Sequence, residues 1–270
     1  SSDVCSSDLL AVFVTIAARA TFSMDPVAPI TTLLTVAYIF GSVGFVVGIG
    51  GMDYWWTWII GGELDPHDHS QHGAHSWRDY FKFNTDHKVI GIQYVVFTFM
   101  MFLVGGMFAE LFRSELARPG QQSITNGQYN ELISQHGVIM IFVFMVPVFA
   151  GIGNYVIPLM IGADDMAFPR LNAVSFWLLP LAAFILLSAW FFGSFNTGWT
   201  AYPTLQDQSP FGQTLFQIGV IIAGSSSIAT AVNFLVTIVA MRAPGMTLFR
   251  MPLLCWANLA TSALVVAATP

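Results

Sequence analysis

Charge is what this sequence has least of: 9% of its 270 residues are Asp, Glu, Lys or Arg, against about a quarter in an ordinary soluble domain. So few charges cannot coat a surface facing water. A composition that is 55% hydrophobic, with a mean hydropathy of +0.67, says that lipid covers much of the chain. Cations are scarcer still. Nine Lys and Arg against fifteen Asp and Glu leave a formal net charge of −6 and no basic run, which excludes nucleic acid as a partner. Cysteine is almost absent: Cys5 and Cys255 cannot form a disulfide framework. Cys255 stands in an apolar run and reads as a small buried hydrophobe.

The apolar residues that are present gather into runs near the length of about 20 residues that a helix needs to cross a bilayer. They cover residues 10–24 (short), 27–50, 89–112, 132–161, 172–195, 213–241 and 252–270. Lipid offers backbone groups no hydrogen-bonding partner, so such runs must be continuous helices. The expectation is an all-α polytopic bundle with about six to seven membrane spans. Pro147 and Pro158 inside the runs are tolerable in that setting. Six loop cations (Arg78, Lys82, Lys88, Arg170, Arg242 and Arg250) face two on the other side, Arg113 and Arg118. That imbalance puts the Arg78 side in the cytoplasm. Tyr54, Trp55, Trp56 and Trp58 fit an interfacial aromatic belt.

Both ends of the sequence read as cut. Residues 1–9, SSDVCSSDL, resemble the translation of a common sequencing adapter and are set aside from fold reasoning; the last apolar run stops at Pro270. The expected division is this adapter-like stretch, an extra membrane segment at 10–50, a polar cytoplasmic linker at 51–85, and a truncated core at 86–270. His67, His69, His72 and His75 in the linker carry metal-compatible side chains, but such a run is ordinarily a solvated linker.

Polar residues inside the apolar runs carry the chemistry. His136 lies one turn inside the 132–161 run, at its outer end. An intramembrane histidine is either a functional group or a satisfied packing residue. Arg113 ends the preceding run on the same side, so a helical hairpin can bring it near His136. A haem needs an axial imidazole and a cation or hydrogen-bond donor for its polar substituents; a snorkelling arginine is the simpler reading of Arg113. At the inner end, Asp165 follows the same run, with Asn154 and Asn172 on either side. Tyr94, Ser175, Ser226 and Ser227 offer hydroxyls from three further runs. This set suits a water chain for protons. It equally suits an aspartate that caps a helix and serines that allow close packing, and composition does not separate the two.

Five segments carry a resemblance. QHGVIMIFVFMVPVFAGIGNYVIPLMIGADDMAFPRLNAVSFWLLP at 135–180 resembles subunit I of the haem–copper oxidases nearly without a gap. TDHKVIG at 85–91, FRSEL at 112–116, TGWTAYP at 197–203 and MRAPGMTLFRMP at 241–252 support it, and the likeness covers about two-thirds of the chain.

The resemblance, closest to cytochrome c-oxidising members, implies roles residue by residue. His136 would be an axial ligand of the iron of the low-spin haem, and Arg113 would hydrogen-bond its formyl group when it is haem A. Asp165 would open a proton channel, with Asn154, Asn172, Tyr94, Ser175, Ser226 and Ser227 along its wall. Glu115 and Gln122 match a loop that holds calcium or sodium in some members. The resemblance implies no catalytic residue in this part: the ligands of the high-spin haem and copper B lie in the family beyond the point where this sequence stops. It implies oxidase subunits II and III as partners, O2 and protons as substrates, and a bacterial cytoplasmic membrane as the location.

Cytochrome c is the expected electron donor, because Val104, Phe108, Gln128 and Glu131 stand where quinol-oxidising members carry Arg, Asp, His and Gln. The MRAPGM loop resembles those members and keeps a quinol donor as the alternative. Outside the family, a haem-free helical ion transporter would use the same buried polar residues.

Overall fold

The computed structural model describes residues 30–52, 56–57, 59–60, 73–206 and 211–269. Residues 1–29, Tyr54, Trp55, Trp58, His67, His69 and His72 lie outside the described residues, so the adapter-like stretch, the first apolar run and most of the aromatic belt and histidine run do too. The chain forms two compact units, Ser1–His69 and Ser70–Pro270. The first contains helix α1 (Ile30–Gly48). The second contains α2 (His87–Glu115), α3 (Asn126–Ile161), α4 (Pro169–Ser188, continued by a 3₁₀ turn to Phe192), α5 (Phe211–Ala240) and α6 (Leu253–Ala268). There is no strand among the described residues, and the fold is an all-α bundle.

Four helices, α2 to α5, are long and apolar enough to cross a membrane; the remaining described runs give shorter apolar helices. The outward side of α2 exposes Val96, Phe99, Met100, Leu103 and Met107, the chemistry of a lipid-facing surface.

Local signals set the helix ends. Asp86 caps α2, its carboxylate accepting the N–H of Lys88 at 2.8 Å and of Val89 at 3.2 Å. Thr125 and Gln128 form a capping box, which starts α3 at Asn126, in polar sequence ahead of the apolar run. Gly162, at φ 73°, closes α3 in the left-handed conformation that glycine accepts without penalty. Pro169 opens α4, where its fixed φ suits the first turn.

Inside α3, Ile139–Met145 is a π-helical segment, and the N–H of Val146 reaches back to the carbonyl of Ile141. Pro147 follows at once. It has no N–H for the carbonyl four residues earlier, and a widened turn is one way a helix absorbs that loss.

Helices α2 and α3 run antiparallel and touch through small residues. A Cβ on Gly151 would fall 2.6 Å from Tyr94 Cβ, so only glycine permits this approach. Two histidine contacts mark the two ends of the same interface: His136 with Gly105, part-buried, and His87 with Asn154, buried. Helix α4 packs along α5, and α6 lies on α5.

Candidate functional site

The bundle holds two polar groups, one at each end of the α2–α3 pair. At the end near Gly105, His136 is half-buried. Its Nδ1 lies 2.8 Å from the carbonyl oxygen of Gly105. A carbonyl only accepts, so Nδ1 donates, and the neutral ring keeps its lone pair on Nε2. That is the tautomer an imidazole needs to ligate a metal. The ring also meets the edge of Phe112, centroids 5.5 Å apart. Arg113, the next residue, is exposed and has no hydrogen bond or ion pair among the described residues.

The turn that carries His136 is fastened by its neighbours. Ser134 Oγ accepts the N–H of Gly198 at 3.0 Å, and Gln135 Nε2 donates to the Leu186 carbonyl at 3.1 Å. These contacts tie the histidine turn to the 196–202 loop and to α4.

Glu115 and Gln122 meet, but as parts of a loop closure. The Glu115 carboxylate accepts the backbone N–H of Gln122, and of Ser123 at 2.8 Å and Ile124 at 3.2 Å. Gln122 turns its side-chain amide to the carbonyls of Pro119 and Gly120, each at 3.1 Å. Amide protons, rather than oxygen ligands, converge on the carboxylate.

At the opposite end, Tyr94 is fully buried. Its hydroxyl lies 3.1 Å from Ser175 Oγ and 3.2 Å from Thr230 Oγ1. Ser175 donates to the Asn172 carbonyl at 2.7 Å, Ser226 donates to the Ser175 carbonyl at 2.6 Å, and Thr230 donates to the Ser226 carbonyl at 3.0 Å. Five residues from three helices therefore form one connected chain of hydroxyls and carbonyls. Tyr94, Ser226, Ser227 and Thr230 also line a cavity of about 80 Å³ with Asn258 and Ser262, large enough for water.

Asn154 and Asn172 are wholly buried. Asn154 Nδ2 donates to the Ala150 carbonyl at 2.9 Å, while its Oδ1, and both side-chain atoms of Asn172, have no protein partner. Buried amides are costly unless something bonds them, and water is the small partner that fits. Asp165 is buried, and its carboxylate accepts the N–H of Met166 at 2.6 Å. Helix α4 begins later, with Phe168 before it and no side-chain cap.

What holds the Asp165 loop was not singled out from sequence. Asn233 Oδ1 accepts the N–H of Phe168 at 2.9 Å and its Nδ2 donates to the Phe168 carbonyl at 3.2 Å. Thr237 Oγ1 accepts the N–H of Ala167 at 2.9 Å. The signal was available: Ser226, Thr230, Asn233 and Thr237 recur at the spacing that lines one face of a helix. Among the described residues there is no group of three or more His, Cys, Asp and Glu side chains able to hold a metal by themselves.

Residues 89–270 match the sequence model of the family described as cytochrome C and quinol oxidase polypeptide I. Over 202 residues the chain is 50% identical to cytochrome c oxidase subunit 1 of Synechocystis sp., covering 74% of this chain and 37% of that protein. It is 49% identical over 199 residues to the subunit 1 of Thermostichus vulcanus, covering 73% and 36%. It is 48% identical over 191 residues to a putative cytochrome c oxidase subunit 1-beta of Streptomyces coelicolor, covering 69% and 33%. The chain thus spans about a third of the length of these relatives.

Proposed function

This chain belongs to the cytochrome c and quinol oxidase polypeptide I family. From that premise we propose that it forms the haem-binding and proton-admitting part of the catalytic subunit of a proton-translocating terminal oxidase. The whole enzyme takes electrons from cytochrome c and reduces O2 to water in a bacterial cytoplasmic membrane, together with subunits II and III. The observation that carries this reading is the bond between His136 Nδ1 and the Gly105 carbonyl, which leaves the Nε2 lone pair free to accept a metal.

In this reading His136 would hold the iron of the low-spin haem through Nε2. Arg113, free of partners at the adjacent helix end, donates to a polar substituent of the macrocycle, the formyl group if it is haem A. The bound haem supplies one-electron transfer. Phe112 fixes the imidazole plane by its edge contact, and Ser134 and Gln135 stop the ligand turn from rotating. In this reading the high-spin haem and copper B would be held by residues other than those named here.

Protons enter from the opposite end. Asp165, held at the mouth by the Asn233–Phe168 pairing, gathers them. Asn154 and Asn172 hold water with their unpaired amide atoms, and the Tyr94, Ser175, Thr230 and Ser226 hydroxyls pass hydrogen bonds inward. Electrons and protons arriving from opposite sides make each turnover move charge, at about 2.3 kcal/mol per charge for each 100 mV.

The donor assignment has structural support. Phe108, where a quinol-oxidising member would carry an acid, is stacked on Trp190 with centroids 5.9 Å apart. Gln128 is used in the capping box that starts α3.

Asp165→Asn in the whole enzyme tests the proton role. It is expected to slow turnover and proton uptake while the haem absorption spectrum stays as in the parent. Unchanged turnover and pumping would reject the assignment, and absence of any bound haem would favour the transporter reading.

A further inference from the structure

The segment ahead of α2 has no part in either polar group, yet it is firmly built. Gly73 N–H donates to Asp86 Oδ2 at 3.0 Å, and Asn84 Nδ2 donates to the Gly73 carbonyl at 3.4 Å. Gln93, one turn and a half into α2, donates its Nε2 to the carbonyls of Tyr80 at 3.0 Å and Lys82 at 3.2 Å. A 3₁₀ turn, Trp77–Phe81, is thereby strapped across the start of a membrane-length helix.

This turn shows the wrong side chains for water. Trp77 and Phe81 are 69% and 74% exposed and pack edge to face, with centroids 6.1 Å apart. The Arg78 guanidinium carbon stands 5.6 Å from the Trp77 ring centroid. Lys82, with its side chain 69% exposed, is beside them. The one acid in the turn is turned inward on the backbone: Asp79 Oδ2 accepts the N–H of Ser76 at 2.9 Å and of His75 at 3.0 Å. Its contact with Lys82, at 3.5 Å, is a surface pair of little worth.

Two exposed aromatic rings flanked by two cations, at the level where a span begins, match a lipid interface chemically. The rings suit the boundary between acyl chains and headgroups. The cations suit a phosphate that carries net negative charge. We propose that Trp77, Arg78, Phe81 and Lys82 form a binding site for the headgroup of one anionic phospholipid, seated against the N-terminus of α2. Arg78, held over Trp77, and Lys82 contact the phosphate, and the two rings take the upper part of the acyl chains.

The test uses the intact membrane protein in detergent, titrated with phosphatidylglycerol and, separately, phosphatidylcholine, with retained lipids counted by native mass spectrometry. One phosphatidylglycerol is expected to stay bound more tightly than any phosphatidylcholine. Arg78→Gln with Lys82→Gln should weaken it roughly fivefold per charge, about 25-fold in all. The paired exchange Arg78→Lys with Lys82→Arg should retain it, and Arg118→Gln, in a different loop, should leave it unchanged. Should the double glutamine variant fail to fold, raising salt on the parent protein should release this lipid before the others. Equal retention of both lipids, retention unaffected by the double variant or by salt, or displacement by millimolar inorganic phosphate alone would each overturn the proposal.

Discussion

His136 and Gly105 meet across the α2–α3 interface, with the imidazole Nδ1 2.8 Å from the glycine carbonyl oxygen. The bond ties the rotation of a side chain to the spacing of two helices, so that anything separating the helices also turns the imidazole.

A substitution at Gly105 tests this coupling. A Cβ there would lie 2.7 Å from Met140 Sδ and 3.4 Å from Ile139 Cγ2. Methionine is flexible enough to yield to one methyl group, so Gly105→Ala should keep its haem with a small spectral shift. Gly105→Val should force the helices apart, at about 1–3 kcal/mol by thermal unfolding, and weaken the low-spin signal. Gly105→Val with Met140→Ala should recover part of both losses.

Asn233 makes a different kind of claim, that a side chain on α5 holds the Asp165 loop, the proposed proton entry. Asn233→Leu removes both bonds to Phe168 and leaves its backbone N–H unpaired, while its carbonyl keeps the N–H of Asn172. The expected loss is about 1–3 kcal/mol of stability, with slower proton uptake and an unaltered haem spectrum. Stability within a few tenths of the parent value would show that the loop holds itself.

Acid should loosen the turn before α2. The Ser76 N–H, with a further bond from His75, holds the Asp79 carboxyl below the usual aspartate range. A depressed value in the folded state means that the stabilisation is fully present above the unfolded aspartate value, about 3.9, and is lost as pH falls through the folded value. A carboxyl-carbon NMR titration of Asp79 should therefore show its inflection below about 3.9. An inflection at or above that would mean the two amide bonds do not persist.

The membrane helices were legible because charge is so rare that each interruption shows; the apolar runs at 89–112 and 213–241 match α2 and α5 to within three residues at each end. Their ends were less so. Helix α3 starts in the polar stretch at Asn126, since its capping box, Thr125 with Gln128, outweighs hydropathy as a local signal. Helix α4 stops short of Phe195, because Gly193, at φ 83°, closes the 3₁₀ turn that follows it.

The polar groups divide in the same way. Tyr94, Ser175 and Ser226 stood out as hydroxyls within apolar runs, and the structure joins them. Thr230, Asn233 and Thr237 were equally visible by helical spacing, yet Thr230 meets the Tyr94 hydroxyl on α2 while Asn233 and Thr237 hold backbone groups of the loop ahead of α4, which no pattern within one segment reveals. The Nδ1–Gly105 bond was illegible for the same reason.

The most direct test of the central claim is the low-spin haem signal, by optical difference spectrum and electron paramagnetic resonance, in the whole enzyme carrying His136→Ala. The account predicts that the low-spin signal disappears while the protein still inserts and folds. A low-spin signal of parental size and position would show that His136 is a packing residue and would contradict the haem-binding role proposed for this chain.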